Sequence, residues 1–359
     1  MEYLFKDVLE IKNGKNQKAV ENPEGQYLIY GSGGLMGYAD DYICEADTVI
    51  IGRKGNINNP IYVSEPFWNV DTAFGLLTNK KILLPRYLFY FCKKYDFEKL
   101  NKTVTIPSLT KSDLLKIKIK LPNIEEQQCV IDKLNKIESI IELRKHELKL
   151  LDDFTKARFV EMFGDLASSE CMWEKKKLVD VCANKDDIKC GPFGTQLNKD
   201  EYMESGIAIW EIPQINTAFS SNPMHFLTRE KAEQLKAYTI IPGDIAMSRK
   251  GNVGKCALFP VGYPEGIIHS DVLRIRVDCK SINPLFLMCQ LHFSRSVTRQ
   301  IELVSSGAIM AGVNVTKLKQ IYIYVPPMEL QQQFAAFVKA TDKSKLPTSP
   351  QEESHVNKL

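Results

Sequence analysis

The sequence predicts an α+β fold, with two similar mixed α/β domains separated by long coiled-coil helices and related by a pseudo-two-fold internal repeat. Three observations predict it: the chain repeats itself, short apolar strands recur at matching places, and a long stretch without glycine or proline follows the first copy. The repeat is far longer than the roughly 20–50 residues of a solenoid unit, so it indicates a duplicated domain.

The clearest match joins residues 106–137 to residues 310–341. With Pro122 aligned to Pro326, each copy reads as an alternating apolar strand, a proline and the start of an amphipathic helix. The identical pairs in this match are Leu114/Leu318, Ile117/Ile321, Ile119/Ile323, Glu125/Glu329, Gln127/Gln331 and Gln128/Gln332.

A second match lies upstream, where residues 53–56 and 249–252 both read RKGN. Each of these RKGN turns directly follows a predicted strand, at 48–51 and 244–247. The offset between matched residues grows along the chain, so copy two has longer loops on the same frame, as is typical of recognition modules. Further matched positions are Asp71 and Asp271, residues 85–89 and 284–287, and residues 5–9 and 178–182.

Residues 124–163 predict one long helix, because they contain no glycine or proline and are rich in residues that favour helix. Asn123 and Glu126 fit a capping box at its start, and Gly164 fits a stop at its end. The apolar spacing alternates between four and three, as in a coiled-coil seam. At ~1.5 Å per residue the helix is about 60 Å long, and its apolar face needs a partner.

The expected partner inside the chain is the second copy's own helix, which starts near Met328. It meets Pro347 after roughly five turns, so we expect residues 148–162 of the long helix to lack a mate within the chain. Either local loops cover that face, or another protein chain docks on it. The candidate subunit-interface residues are Leu134, Ile137, Ile141, Leu148, Leu151, Phe154, Phe334, Phe337 and Val338.

Composition limits the kind of protein. The 47 Lys and Arg residues barely exceed the 44 Asp and Glu residues, and the net charge is +3, so any nucleic-acid surface must be local. The nine cysteines form no CxxC pair and the five histidines are scattered, which predicts no metal site and a reducing compartment. No stretch predicts a membrane span or a signal peptide, so we expect a cytoplasmic protein.

Five stretches, in this order along the chain, carry a family resemblance. They are LPNIEEQQCVIDKLNKI at 121–137, MFGD at 162–165, WEKKKLVDVC at 173–182, PGDIAMSRKGNVG at 242–254 and VPPMELQQQF at 325–334. Together they resemble the specificity subunit of type I restriction-modification systems, over nearly the whole chain.

The resemblance implies a domain order and a set of partners. Residues 1–122 and 166–325 would be target recognition domains for the two halves of a double-stranded DNA site, with adenine as the target base. Residues 123–165 and 326–346 would be antiparallel spacer helices, followed by a polar tail at 347–359. Two methyltransferase subunits and, in restriction complexes, a motor-nuclease subunit would assemble on this scaffold. S-adenosylmethionine, ATP and Mg would belong to those partners, with no cofactor on this chain.

The RKGN turns are the foremost candidates for DNA contact. Arginine and lysine neutralise phosphates, and arginine can grip guanine, and asparagine adenine, at two atoms. Glycine permits a tight turn close to DNA. The alternative is a plain polar hairpin turn. The candidate residues are Arg53, Lys54 and Asn56 in the first turn, and Arg249, Lys250 and Asn252 in the second.

Other candidates lie outside the RKGN turns. The glycine turn at 31–34 is interpreted as a flexible turn in preference to a phosphate-binding loop, and residues 191–196 of copy two are placed near its counterpart. For the two lysines that precede the matched strands, phosphate contact and capping of the next element are equal alternatives. These further candidates are Thr195, Gln196, Lys199, Lys111 and Lys317.

Catalysis is not predicted for this chain. It lacks the glycine motif and the Asn/Asp-Pro-Pro-aromatic motif of an adenine methyltransferase, and it lacks a Walker motif. Residues 269–271 (HSD) suggest a triad, but the matched residues 69–71 read NVD. We therefore predict a DNA-reading subunit with Trp68 and Trp210 in its core. The alternatives are a truncated or silent specificity cassette that folds but cannot assemble alone, and an enzyme with an unrecognised site.

Overall fold

The chain forms two compact units, Met1–Lys145 and His146–Leu359. The structure is a computed structural model that describes residues 1–103, 106–166, 168, 171–305 and 312–345. Each unit holds its own apolar core. The tail predicted at 347–359 lies outside the described residues, and the predicted domain boundaries at 122 and 165 stay predictions.

Unit 1 combines short strands with short helices and the first part of a long helix. Its strands are β1 (Glu2–Leu4), β2 (Leu9–Asn13), β3 (Tyr27–Gly31), β4 (Gly34–Ala39), β5 (Thr48–Gly52), β6 (Ile61–Val63), β7 (Phe67–Asn69), β8 (Ala73–Thr78) and β9 (Lys118–Lys120). Its helices are α1 (Phe5–Val8), α2 (Pro85–Lys94), α3 (Lys111–Leu114) and α4 (Ile124–Phe163), which continues into unit 2.

The strands of unit 1 form three sheets. A four-stranded antiparallel sheet has the order β2-β8-β5-β6, a three-stranded sheet has the order β4-β3-β7, and β1 pairs with β9. The apolar sequence TVIIG gives β5 no polar face, and all of its residues are buried. Because side chains alternate along a strand, Val49 and Ile51 join the core that contains Leu88 of α2, whereas Ile50 packs with Phe67 of β7.

Unit 2 repeats this pattern with additional elements. Its strands are β10 (Glu174–Lys177), β11 (Ile188–Cys190), β12 (Ile207–Trp210), β13 (His225–Leu227), β14 (Thr239–Ile240), β15 (Ile245–Ser248), β16 (Cys256–Leu258), β17 (Gly266–Ile268), β18 (Val272–Ile275) and β19 (Tyr322–Val325). Its helices, after the end of α4, are α5 (Ile212–Asn216), α6 (Arg229–Gln234), α7 (Pro284–Phe293), α8 (Arg295–Ser305), α9 (Val315–Leu318) and α10 (Met328–Lys345).

The sheets of unit 2 have the strand order of unit 1. Their orders are β11-β18-β15-β16, β13-β12-β17-β14 and β10-β19, so the only strand without a counterpart in the described residues is β14, at a sheet edge. The predicted duplication and the α+β class are therefore confirmed. Trp68 and Trp210 lie in the cores, as predicted, at 7% and 1% exposure.

A buried glutamine holds the same place in both units. The Oε1 of Gln127 accepts a hydrogen bond from the backbone N–H of Leu84 at 2.9 Å, and the Oε1 of Gln331 accepts one from Asn283 at 2.8 Å. Leu84 and Asn283 are the N-cap residues of α2 and α7. Each Nε2 also donates to the carbonyl of the proline that is aligned in the repeat. The glutamine therefore ties the start of α4 to the start of α2, and the start of α10 to the start of α7.

Helix α4 has the predicted bounds. The backbone N–H of Glu126 donates to Asn123 Oδ1 at 2.8 Å, and the N–H of Asn123 donates to Glu126 Oε2 at 3.3 Å, which completes the predicted capping box. Gly164 ends the helix with a φ of 75°, in the left-handed region where a side chain is disfavoured.

The prediction that residues 148–162 lack a mate within the chain is wrong for residues 154–162. Phe159 and Phe154 of α4 pack against α10, with ring centroids 5.4 Å from Phe334 and 5.1 Å from Phe337 respectively. Later residues of α10 meet earlier residues of α4, so the two helices are antiparallel. The sequence predicted the apolar spacing of α4, but it did not predict which residues of α4 the phenylalanines of α10 would contact.

The candidate interface residues therefore separate into three groups. Phe334 and Val338 are buried in the core of unit 2, at 0% and 3% exposure, and are not available to another chain. Ile137, Ile141 and Phe154 are exposed, and the remaining candidates, Leu134, Leu148, Leu151 and Phe337, are half-buried. The apolar residues that α4 leaves exposed between Ile137 and Leu143, hereafter the exposed stripe, are Ile137, Ile140, Ile141 and Leu143.

Candidate nucleic-acid interface

The two RKGN turns are built by the same backbone bonds. The N–H of Arg53 donates to the Thr72 carbonyl at 2.7 Å, and the Arg53 carbonyl accepts from Leu109 at 2.9 Å. In unit 2 the N–H of Arg249 donates to Asp271 at 2.8 Å, and its carbonyl accepts from Val313 at 3.1 Å. The glycines that follow, at 55 and 251, have φ values of 81° and 67°, which explains why glycine occupies this place in both turns.

These bonds correct one pair of the predicted alignment. Thr72, not Asp71, is the counterpart of Asp271, because each accepts the bond from the arginine of the turn. The strand register agrees, since Gly52 pairs with Ala73 as Ser248 pairs with Val272. The match between the two aspartates was a coincidence of residue type one position away.

The corrected alignment reveals a difference in charge. The ammonium of Lys250 lies 2.9 Å from Asp271 Oδ1 in an ion pair whose side chains are 41% and 27% exposed. Thr72 occupies that position in unit 1, and Lys54 has no ion pair within the described ranges. The two turns share a frame but present different charges.

The side chains of the RKGN turns differ in exposure. Arg53, Lys54, Asn56 and Asn252 are exposed, whereas Arg249 and Lys250 are half-buried. The Nδ2 of Asn252 donates to the Oδ1 of Asn216 at 3.3 Å, in the segment between β12 and β13. The guanidinium carbon of Arg249 lies 4.7 Å from the centroid of the Phe193 ring.

Several loops converge on each turn. In unit 1, a Cβ added to Gly52 would lie 2.1 Å from the carbonyl oxygen of Asn56 and 3.1 Å from the Cβ of Ser32, so the hairpin between β3 and β4 lies beside the turn. In unit 2 that hairpin is replaced by residues 211–224, which contact the turn through Asn216. The longer loops predicted for copy two thus lie next to its RKGN turn.

The loop at 191–196 has a different counterpart from the one predicted. The N–H of Gly14 donates to the carbonyl of Ala73 in β8, and the N–H of Gly191 donates to the carbonyl of Val272 in β18. Ala73 and Val272 occupy corresponding positions in the two repeats. A Cβ on Gly14 or Gly191 would lie 1.8 or 2.2 Å from a carbonyl oxygen, so both places need glycine. The counterpart is therefore the loop after Gly14, and the glycine turn at 31–34 is the plain β3–β4 hairpin.

Residues 15–18, which read KNQK, are thus a candidate segment that the sequence interpretation missed. A strand followed by a glycine and a polar run was the available signal. The segment shares little residue identity with its counterpart GPFGTQ. Only the hydrogen bonds of the flanking strands show that the two loops correspond.

The structure also places the other candidates. The Nζ of Lys111 donates to the Ile11 carbonyl at 2.6 Å, and Gln196 Oε1 accepts from the Tyr238 hydroxyl at 3.0 Å. Lys199 and Lys317 are exposed, whereas the side chain of Thr195 lies outside the described part of the chain. Lys111 begins α3, but Lys317 is the third residue of α9, so these two lysines are not counterparts.

Capping accounts for the polar residues before these two short helices. Thr110 and Asn314 are their N-caps and accept from the N–H of Asp113 and of Lys317. Hydrogen bonds from Lys102 and then Thr110 lower the pKa of Asp113 to about 2. The carboxylate is thus charged at neutral pH and occupies the place that Lys317 has in α9.

The described residues also bear on other kinds of site. They hold no group of three or more His, Cys, Asp or Glu side chains arranged to bind a metal ion. No helix among them is both long and apolar enough to cross a membrane.

Comparison with known proteins gives consistent similarities. A family model described as the type I restriction modification DNA specificity domain matches residues 1–152 and 171–355. The MjaVIII specificity subunit of Methanocaldococcus jannaschii is 23% identical, over 83% of this chain and 70% of that protein. The EcoBI specificity subunit of Escherichia coli is 20% identical, over 86% of this chain and 69% of that protein.

Two further comparisons concern length and fold. The chain spans 63% of the length of the MjaX specificity subunit of M. jannaschii, at 19% identity over 74% of this chain. The crystal structure of a type I restriction-modification S subunit from M. genitalium superimposes with a TM-score of 0.61 at 16% identity, covering 96% of this chain and 90% of that one. The last similarity concerns the fold alone.

Proposed function

Since the chain belongs to the type I restriction modification DNA specificity family, we propose that each of its repeats reads one half of a two-part double-stranded DNA target. The observation that carries the proposal is the pair of RKGN turns, which share their backbone bonds and differ in the loops beside them. A common frame places two similar domains on DNA in the same way. Different loops let each domain prefer a different sequence.

The chemistry divides between phosphate and base contacts. Exposed Lys54 and Arg53 suit phosphate contacts, which position a protein on DNA without reading its sequence. Arg249 and Asn252 are held by neighbouring loops, so they suit contacts with base edges in the major groove. Gln196, Lys199 and residues 15–18 extend these surfaces.

In this proposal the chain is the non-catalytic, DNA-recognising component of a larger complex. Methyltransferase subunits dock on the exposed stripe of α4, and a motor-nuclease subunit joins them in a restriction complex. S-adenosylmethionine, ATP and Mg belong to those subunits. The support for docking is the row of apolar side chains on α4, with Leu143 67% and Ile140 64% exposed.

Mapping methylated bases across the genome tests the proposal. Cells that contain the partner methyltransferase are compared with and without this chain. We expect methylated adenines within a two-part motif only when the chain is present. Absence of such a motif would favour the silent cassette, and a motif with a single uninterrupted part would contradict half-site reading.

A further inference from the structure

We propose that Phe193 is a positioning residue that sets the plane of the Arg249 guanidinium for base reading by the second repeat. The inference rests on the proposed function, since it takes the RKGN turns to face DNA. The guanidinium carbon lies 4.7 Å from the ring centroid, within the range of a cation–π contact. Planar stacking leaves the edge of a guanidinium free to donate, and the edge is what grips guanine.

The surroundings of Arg249 hold it before DNA arrives. Its backbone is bonded on both sides, to Asp271 and to Val313, and its Nε donates to the Val313 carbonyl at 3.4 Å. Among the residues the structure describes, no carboxylate forms an ion pair with Arg249. An arginine whose face and backbone are already ordered loses less conformational freedom on binding.

The two residues before Phe193 fix the direction of its loop. Gly191 and Pro192 are buried, and a Cβ on Gly191 would lie 2.2 Å from the His269 carbonyl oxygen. The loop therefore leaves the end of β11 in one direction, with the Phe193 ring 51% exposed above it. A lone exposed phenylalanine is ordinary on a protein surface, but one that carries an arginine of the RKGN turn on its face has a structural reason to be exposed.

Repeat one lacks this arrangement and supplies an internal control. The guanidinium carbon of Arg53 lies 5.8 Å from the ring of Phe74, which is a buried residue of β8. The counterpart loop at 15–19 contains no aromatic residue. Arg53 is exposed and, in the part of the chain that the structure describes, has no exposed ring beneath it, so a change at Phe193 acts on one half of the target only.

The test uses the full chain assembled with its methyltransferase subunits. Binding is measured to duplexes that carry the methylated motif of the wild-type complex and to a panel with one base substituted at a time. The variants are Phe193→Leu, which removes the ring but keeps an apolar side chain, and Phe193→Tyr, which keeps the ring. Because Phe193 is exposed, both should melt at the wild-type temperature.

We expect Phe193→Leu to weaken binding of the intact motif roughly 2–5-fold, the size of an exposed cation–π contact. Discrimination should fall by a similar factor at one or two positions of a single half, and Phe193→Tyr should restore both. An unchanged Phe193→Leu profile, equal weakening on every duplex including those without the motif, or failure of Phe193→Tyr to restore discrimination would each overturn the inference. A wild-type complex without a two-part preference would overturn the proposed function as well. Failure of the Phe193 inference can thus be distinguished from failure of the proposed function.

Discussion

Two glutamines illustrate how much a single buried side chain contributes to this architecture. Gln331 is fully buried and satisfies both the N–H of Asn283 and the carbonyl of Pro326. A buried amide that loses its partner costs about 1–3 kcal/mol, because it cannot return to water. Gln127 and Gln331, the first glutamines of the aligned QQ pairs, are thus structural residues. Gln128 and Gln332, the second glutamines, have the same side chain but are exposed.

Gln331→Ala should therefore lower the free energy of unfolding of unit 2 by about 3 kcal/mol, since it leaves an N–H and a carbonyl unpaired. Urea unfolding followed by tryptophan fluorescence measures the change. Gln332→Ala is the matched control, because Gln332 is exposed, and it should stay within about 0.5 kcal/mol of wild type. Equal effects of the two substitutions would contradict the buried-amide account.

The ion pair between Lys250 and Asp271 predicts an electrostatic effect on DNA binding. Asp271→Asn releases the lysine for a phosphate, so DNA affinity should rise and the salt dependence should steepen by about one unit of log-log slope. Thr72→Asp is the reciprocal change in unit 1, and it should weaken binding and flatten the slope. Dissociation constants measured over a series of NaCl concentrations decide this, and slopes that move in the same direction for both variants would refute it.

At the residue scale, the sequence predicted the RKGN turns but not all of their surroundings. A glycine at a positive φ is encoded locally, so residue identity alone reveals it. Whether Asp71 or Thr72 corresponds to Asp271 depends on strand register. Because Asp71 has the same residue type as Asp271 and lies one position from the true counterpart, the sequence alone pointed to the wrong residue. The loop after Gly14 shows the same limit, because hydrogen bonds to a distant strand define its place.

At the scale of elements, α4 shows which properties of a helix are local. Its bounds followed from the Asn123 capping box and Gly164, which act within one turn of each end. Its partner did not follow, because an apolar spacing does not say which residues the other helix covers. The phenylalanines of α10 cover residues 154–163, and the exposed stripe lies earlier in the helix.

Ile140→Glu in the exposed stripe should weaken the docking of a methyltransferase subunit at least about 10-fold, because it places a charge in an apolar contact. Ile140 is 64% exposed, so the fold should be unaffected. Binding is measured by titration with the purified methyltransferase subunit. Lys149→Glu, on an exposed position of the same helix, is the control for charge. Wild-type affinity of Ile140→Glu would move the docking surface elsewhere.

At the scale of the whole molecule, the small net charge of +3 and the duplicated frame both predict that DNA recognition is divided between two local surfaces. The duplication was visible in the sequence because the aligned residues hold the frame. The sequence preference was not visible, because the loops that differ, such as residues 211–224 in place of the β3–β4 hairpin, share no residue pattern with their counterparts.

Arg53→Ala and Arg249→Ala should accordingly affect different halves of the target. Each removes one phosphate or base contact, worth about 1–3 kcal/mol, from one repeat. Methylome mapping in cells that carry Arg249→Ala should show relaxed sequence in one half of the motif and strict sequence in the other. Arg53→Ala should instead weaken binding about equally across sequences and reduce the salt dependence of affinity. Unchanged salt-dependent affinity in both variants would remove the RKGN turns from the interface.

The two-stranded ribbons give this molecule a further property. β1 pairs antiparallel with β9, the N-terminal amine of Met1 donates to the Leu121 carbonyl at 2.9 Å, and β10 pairs with β19 in the same way. The chain thus enters and leaves each repeat side by side, immediately before the proline that starts a long helix. A pair of genetic crossovers, one in the codons of each strand of a ribbon, would therefore exchange the whole repeat between them and leave the register of the long helices unchanged.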